Sequence, residues 1–484
     1  MEIPNQVIGK KNGLHWVTTA LFIVADMAGG GIVSMPMAMT KSGLIAGIAI
    51  MAVLFLIFTY TAHLLGINWL KMCKFWPEYK SHCRKPYPEM AMRSMGIHAR
   101  TFTSCVLNVM LYGVSIVYLL LSSQIINDIV SSLTGVNIGS CVMLLIVAGM
   151  MLPVTFLKSP QDFWWAIVVA MFTTLFAVII IFSGTLIDYE TCAPEASFGT
   201  FKMTNLFLSL GTFMFSFGGH GVFPTIQHDM KKPYLFTRSA IFAFILVILM
   251  YAPVTILGYI TYGNSVQNSI ISSLQTPLLQ NIANAFIAIH CLLTVNITIN
   301  PLNQELEHVL ETPHHFCWQR VFVRTGVMAL VVFTAESIPT FGPILTLIGG
   351  TSVTLTSALL PCLFNLYLET RLKMIKKNNG EKKEKKLIYP SIKDVIQNTR
   401  KWKLLLNITI VIVATICGVA TTISAIKEMG DSQFSMPCYL RFFNKDSDHL
   451  SALDAKLDIS MYCCGSNRNI SKHGDLYTCL SSTS

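Results

Sequence analysis

Residues Phe213–Pro233 read FMFSFGGHGVFPTIQHDMKKP. The stretch opens apolar, runs into Phe217-Gly218-Gly219-His220-Gly221, meets Pro224, and ends in charge at Asp229, Lys231 and Lys232. Within an apolar segment of membrane-spanning length, this sequence cannot form a plain helix. Glycine costs about 1 kcal/mol and proline about 3 kcal/mol in a helix interior. Backbone groups freed by such a break need partners when lipid surrounds them, so a break persists only where it is buried in protein or lines a cavity. The segment is therefore a candidate site.

Working outward, the chain has 484 residues, 53% hydrophobic and 12% charged, with a mean hydropathy of +0.56. A soluble domain carries about 25% charged residues, so the composition indicates a multi-pass membrane protein. The net charge of +10 need not signal nucleic acid, because its distribution follows membrane topology. The thirteen cysteines show no paired spacing of the zinc-binding kind. Trp16–Thr40 is long enough to span and lacks the short apolar core and processing site of a cleaved signal.

A hydrocarbon core of about 30 Å needs about 20 apolar residues. That predicts an all-α membrane protein of eleven transmembrane helices at 15–40, 43–69, 101–130, 137–157, 163–187, 204–227, 236–262, 278–301, 318–335, 340–368 and 404–427. With the N-terminus cytoplasmic, 27 of the 35 lysines and arginines fall on inner segments, as the positive-inside rule requires. The expected layout is a cytoplasmic tail (1–14), a first five-helix repeat (15–190) and a second (203–368). A basic cytoplasmic loop (369–403), an eleventh helix (404–427) and an extracellular or lumenal tail (428–484) follow.

This orientation puts Cys192, Cys438, Cys463, Cys464 and Cys479 outside, where disulfides persist. It leaves Cys105, Cys141, Cys291, Cys362 and Cys417 in helices. The Asn469-Ile470-Ser471 sequon is on the permitted side for glycosylation, whereas the Asn296 and Asn407 sequons lie in apolar segments. The densest charge run, Lys373–Lys386, is a solvated loop that fixes topology, with attraction to anionic membrane lipid as the sharper alternative.

The first helix carries a matching defect, Gly29-Gly30-Gly31 with Pro36 beyond. Helices 1 and 6 are thus broken at corresponding positions five helices apart. An odd-numbered unit makes its repeat start from the opposite membrane face, and interrupted segments in corresponding positions point to a midplane site between inverted repeats. The reading is two inverted five-helix repeats with broken helices 1 and 6, plus one peripheral helix. At the first break the following half-helix offers free N–H groups and a positive dipole end for a carboxylate. Carbonyls freed on the other side suit an ammonium or a small cation, so a zwitterionic amino acid matches both.

Four motifs then carry a resemblance. Gly29-Gly30-Gly31-Ile32-Val33-Ser34-Met35-Pro36, Pro86-Tyr87-Pro88-Glu89-Met90 with Gly96, the 156–164 loop FLKSPQDFW, and SFGGHGVFPTIQHDMKKP resemble, in order, stretches of the amino acid/auxin permease family, which includes vesicular inhibitory and proton-coupled amino acid transporters. The resemblance spans nearly all of 15–426 and implies secondary transport of amino acids. Members that use sodium tend to carry asparagine before the helix 1 glycines, where this chain has Ala25-Asp26.

The candidate substrate-binding residues are Ala28, Gly29, Gly30 and Gly31 at the first break and Phe217, Gly218, Gly219 and His220 at the second. Asp26 lies about ten residues into helix 1, roughly 15 Å deep at 1.5 Å per residue. A carboxylate there is costly unless paired, which makes it the candidate for a coupling proton or sodium. Thr294 and Thr298 share a face of helix 8 and are candidate cation ligands, although threonines commonly bond back to their own helix. His220 is either a titrating group or a hydrogen-bonded structural one, and His290 is read as structural. Tyr112 and Tyr118 line the cavity or pack against the membrane. The expected activity is alternating-access amino acid transport, with proton coupling ahead of sodium. The alternative is an amino-acid-sensing receptor without net transport. No cofactor and no catalytic constellation is expected.

Overall fold

The computed structural model describes residues 13–80, 83–136, 138–156, 164–313, 317–377, 389–431, 437–441 and 463–471. Most of the N-terminal tail, most of the 156–164 motif, the 378–388 part of the basic run, and Cys479 lie outside them. The described residues are helical almost throughout, joined by two isolated β-bridges.

The order begins with α1 (Trp16–Met27), α2 (Gly30–Ser42), α3 (Leu44–Phe75), α4 (Pro86–Met95) and α5 (Ile97–Thr134). It continues with α6 (Ser140–Thr155), α7 (Trp164–Cys192), α8 (Met203–Ser216), α9 (Phe223–His228), α10 (Phe236–Tyr262) and α11 (Pro277–Val309). α12 (Trp318–Ser337), α13 (Phe341–Ile348), α14 (Leu360–Lys377), α15 (Ile392–Asn398), α16 (Lys401–Asp431) and α17 (Cys438–Arg441) complete it. Among the described residues, seven helices are long and apolar enough to cross a membrane, and α1 with α2, bent by 56°, makes an eighth span when taken as one. α6 is apolar but only 16 residues long.

The apolar surface follows from this. Along α16, Ile412, Ile416, Val419 and Ile423 form an exposed stripe at helical spacing, the pattern expected of a face turned to lipid. Inside, α5, α7 and α11 pack together, α1 and α2 lie against α10 and α8, and α13 with α16 closes the far side of α8.

Between α13 and α14 the chain widens into two π-helical segments, Gly349–Val353 and Leu355–Leu359. The first lies against α8 so closely that a Cβ on Gly349 would stand 2.0 Å from the Gly211 carbonyl oxygen. Small residues at such seams let helix backbones touch.

α16 is more than the peripheral helix expected from its position in the chain. Thr421 Oγ1 donates to Phe207 O at 3.1 Å, and a Cβ on Gly418 would meet Gly350 O at 2.8 Å. At one end Lys403 pairs with Glu369, which also takes Lys71 at 2.8 Å. At the other, Lys41 of α2 pairs with Glu428 at 2.6 Å. The helix is thus tied to α8, α14, α3 and α2.

Cys141 lies in a helix as expected, at the start of α6, and it is disulfide-bonded, as is Cys463 in the tail. Cys192 at the end of α7 is joined to Cys464, whose backbone bridges to Ile470.

Candidate functional site

α1 stops at Ala28 and α2 restarts at Gly30, with Gly29 at its N-cap and no side chain capping it. Glycine is required here by crowding. A Cβ on Gly29 would stand 2.3 Å from His290 Nε2 and 2.6 Å from the Tyr118 hydroxyl. One on Gly31 would meet Ser216 Oγ at 2.6 Å, so the start of α2 lies directly against the end of α8. Ala28, Gly30 and Gly31 are buried.

The second break runs from Phe217 to Val222, between α8 and α9. Gly219 has φ +156° and a Cβ there would be 2.7 Å from Asp26 Oδ2. The carboxylate of α1 thus rests on the bare backbone of the second break. Asp26 is half-buried and has no hydrogen-bond or ion-pair partner among the described residues.

Tyr251 of α10 joins the two breaks. Its hydroxyl sits 2.8 Å from Met27 O and 3.2 Å from Ser216 O, donating between the carbonyl ends of α1 and α8. Phe217 packs edge-on against the Tyr251 ring, and Gly218 lies beside Val353 of the first π segment. Carbonyl ends, the N-terminal end of α2 and one carboxylate therefore gather in one place. Such a set offers negative potential to a cation or ammonium and N–H groups to a carboxylate.

The two histidines face different surroundings. His290 of α11 approaches Ala170 O through Nδ1 at 3.1 Å, with Thr174 Oγ1 2.8 Å away. A carbonyl accepts only, so Nδ1 carries the proton and Nε2 presents a lone pair toward Gly29. His220 points away from α1. Its Nε2 donates to Phe58 O at 2.9 Å and lies 3.0 Å from Thr61 Oγ1 on α3. The ring is enclosed by Phe58, Phe223 and Phe244, and Nδ1 has no partner among the described residues.

The threonine pair is occupied locally. Thr294 Oγ1 donates to His290 O at 2.8 Å, and Thr298 Oγ1 donates to Thr294 O at 3.0 Å while touching Ser115 of α5 at 3.1 Å. Thr294 reaches the first break only through His290, whose Nε2 is 3.3 Å from its hydroxyl. Tyr112 bonds to Leu330 O and Thr334 of α12, away from both breaks. Asn469 is exposed beside the Cys464–Ile470 bridge.

Of the candidate site residues, Asp26, Ala28 and the two glycine runs are brought together, and the His220 side chain is not. Tyr251 escaped sequence reading, and His290 was assigned a structural role. The sequence signal for each is weak, since both spans carry several other polar side chains. Only tertiary packing shows that both point at the breaks.

Comparison with known proteins places this geometry in context. The family model described as transmembrane amino acid transporter protein matches residues 12–426. Amino acid transporter AVT1C of Arabidopsis thaliana is 25% identical over 343 residues, 69% of this chain and 60% of that one. The chain thus spans 60% of the length of the first curated relatives it matches. Lysine histidine transporter-like 4 of the same plant is 25% identical over 390 residues, 73% of this chain and 81% of that one. Among solved structures, MHP1, a nucleobase-cation-symport-1 family transporter, aligns with a TM-score of 0.53 at 12% identity, covering 90% of this chain and 97% of that one. The Eremococcus coleocola manganese transporter aligns at 0.54 and 10% identity, covering 95% and 98%. At these identities the structures speak to the fold alone.

Proposed function

This chain belongs to the transmembrane amino acid transporter family, and we propose that it carries amino acids across a membrane by alternating access between the two breaks. The observation that bears most weight is the convergence of Asp26, Gly219 and the Tyr251 bridge. The substrate carboxylate takes the N-terminal end of α2, at Gly29–Gly31. The ammonium takes the negative side, made by Asp26 and the Nε2 lone pair of His290. Gly218 and Gly219 supply backbone as the opposing wall. Phe217, packed on Tyr251, holds that wall in place, and the His220 side chain has no contact with substrate.

Coupling is to a proton carried by Asp26. A carboxylate without an ionic partner near the middle of a span is costly when charged and much less so when protonated. Sodium is the less favoured ion, because the Thr294 and Thr298 hydroxyls already donate to their own helix. The arrangement is eleven helices in two inverted repeats plus α16, with the N-terminus cytoplasmic. The bonded Cys141, Cys192, Cys463 and Cys464 support it, since that orientation puts all four on the oxidising face. Glycosylation at the exposed Asn469 belongs to the same face, which is that of a plasma membrane or of a lysosomal or vesicular lumen.

The test is an uptake panel of common amino acids in proteoliposomes, at two pH values and with or without sodium. Accumulation driven by an inward proton gradient and indifferent to sodium is expected. Binding without accumulation would instead mark a sensor, and accumulation indifferent to both ions would remove coupling.

A further inference from the structure

One cavity stands on the line between the two breaks and the disulfide-bearing face. It holds about 170 Å³ and is lined in part by Ser34, Ala38 and Lys41 of α2, Thr212 of α8, Thr346 of α13 and Glu428 of α16. Liquid water takes about 30 Å³ per molecule, so a polar space of this size has room for several. Its floor lies one turn from the contact between the breaks. Ser34 lies one turn beyond Gly31, and Thr212 one turn before Ser216, the two residues that touch there. The Thr212 and Thr346 hydroxyls meet at 3.2 Å and hold one wall together.

Across the cavity from that floor, Lys41 Nζ meets Glu428 Oε1 at 2.6 Å, with 28% and 27% of the two side chains exposed. The pair joins the end of α2 to the end of α16. The opposite end of α16 is held by the Lys403–Glu369 pair and its middle by the Thr421 bond to α8, so Glu428 sits on a positioned catch. A partly exposed pair of this kind is weak and readily exchanged. That suits a closure that must open in every cycle, and a zwitterion carries one partner for each of its charges.

We propose that Lys41 and Glu428 form the gate of this cavity, so that α16, which lies outside the two five-helix units, supplies half of the closure. The proposal rests on the transporter reading for its purpose but not for its test. Separating the pair opens a polar route from the disulfide-bearing face down to Ser34, one turn above the first break.

The experiment labels Ser34→Cys in nanodisc-embedded protein with a charged, membrane-impermeant thiol reagent, subtracting the rate of the parent carrying its own free cysteines. Lys41→Met and Glu428→Gln should each raise the labelling rate of Ser34→Cys, by up to about fivefold for a latch of this strength. The exchanged pair Lys41→Glu with Glu428→Lys should return it to the parental rate. Unchanged labelling in both single variants would overturn the gate, as would an exchanged pair that labels as fast as the singles. Because no amino acid is present, failure here is distinct from failure of transport, which would appear as absent uptake by the unmodified protein.

Discussion

At the first break, Asp26 lies without an ionic partner against Gly219, while His290 and Tyr118 crowd the Gly29 backbone. At the second, the His220 ring is packed among three phenylalanines and hydrogen-bonded to α3. Both stretches are glycine-rich, followed by proline, with one ionisable residue nearby. They differ in where that residue points. A ring whose N–H is met by a neighbouring helix and whose faces are packed by aromatic rings serves stability, because leaving that donor unmet costs about 1–3 kcal/mol. A carboxylate left beside the opposite backbone, with no such partner, is available to a ligand or a proton. On the proposed reading, one break carries the chemistry and the other forms a wall.

The most disruptive way to break this contrast is at the surface the two halves share. Gly219→Val adds a side chain where φ is +156° and Asp26 Oδ2 leaves no room. Strain of about 1–3 kcal/mol compounded by that clash should abolish uptake to background at normal membrane expression, with Gly219→Ala retaining about a tenth. Wild-type uptake by either variant would separate Asp26 from the second break.

Tyr251→Phe comes next. It strips the shared donor from Met27 O and Ser216 O, and a buried polar group left unmet costs about 1–3 kcal/mol. Uptake at subsaturating substrate should fall about tenfold. A fall confined to thermal stability, with unchanged transport kinetics, would reduce Tyr251 to packing.

His220→Ala sharpens the contrast from the other side. Losing the bond to Phe58 and the ring contacts should lower the unfolding temperature by several degrees, in line with about 1–3 kcal/mol for a buried hydrogen-bonded group. The KM of the protein that remains folded should stay within about twofold. A KM shift of tenfold with unchanged stability would return His220 to the substrate. The smallest effect belongs to Thr298→Val. Its hydroxyl donates within its own helix, where the net worth of a bond is about 1 kcal/mol, so uptake and its indifference to sodium should hold within about twofold.

Most of the apolar spans and both breaks are legible in composition and the placement of glycine and proline, because lipid imposes strong rules on apolar length and on unmet backbone groups. Asp26 stood out for the same reason. Side-chain direction did not follow from those rules. Local context sets His220 in a glycine-rich break and His290 in plain helix, yet it is the His290 ring that approaches Gly29, because which ring meets a break depends on helix rotation set by neighbours far along the chain. Tyr251 looks like any aromatic residue in an apolar span until α10 is laid beside α1 and α8. The first of the π segments packs against Gly211, and the ties of α16 involve partners up to 387 residues away. Local pattern locates the candidate site, and tertiary contact decides which atoms face it.

The central claim is that the first break carries the coupling chemistry and the second does not. It is tested most directly by Asp26→Asn and His220→Gln side by side in proteoliposomes, measuring substrate uptake and internal acidification with and without an inward proton gradient. Asp26→Asn should lose the gradient-driven component of uptake and its accompanying acidification, and His220→Gln should keep both. Retention of proton-driven accumulation by Asp26→Asn together with its loss in His220→Gln would contradict the assignment.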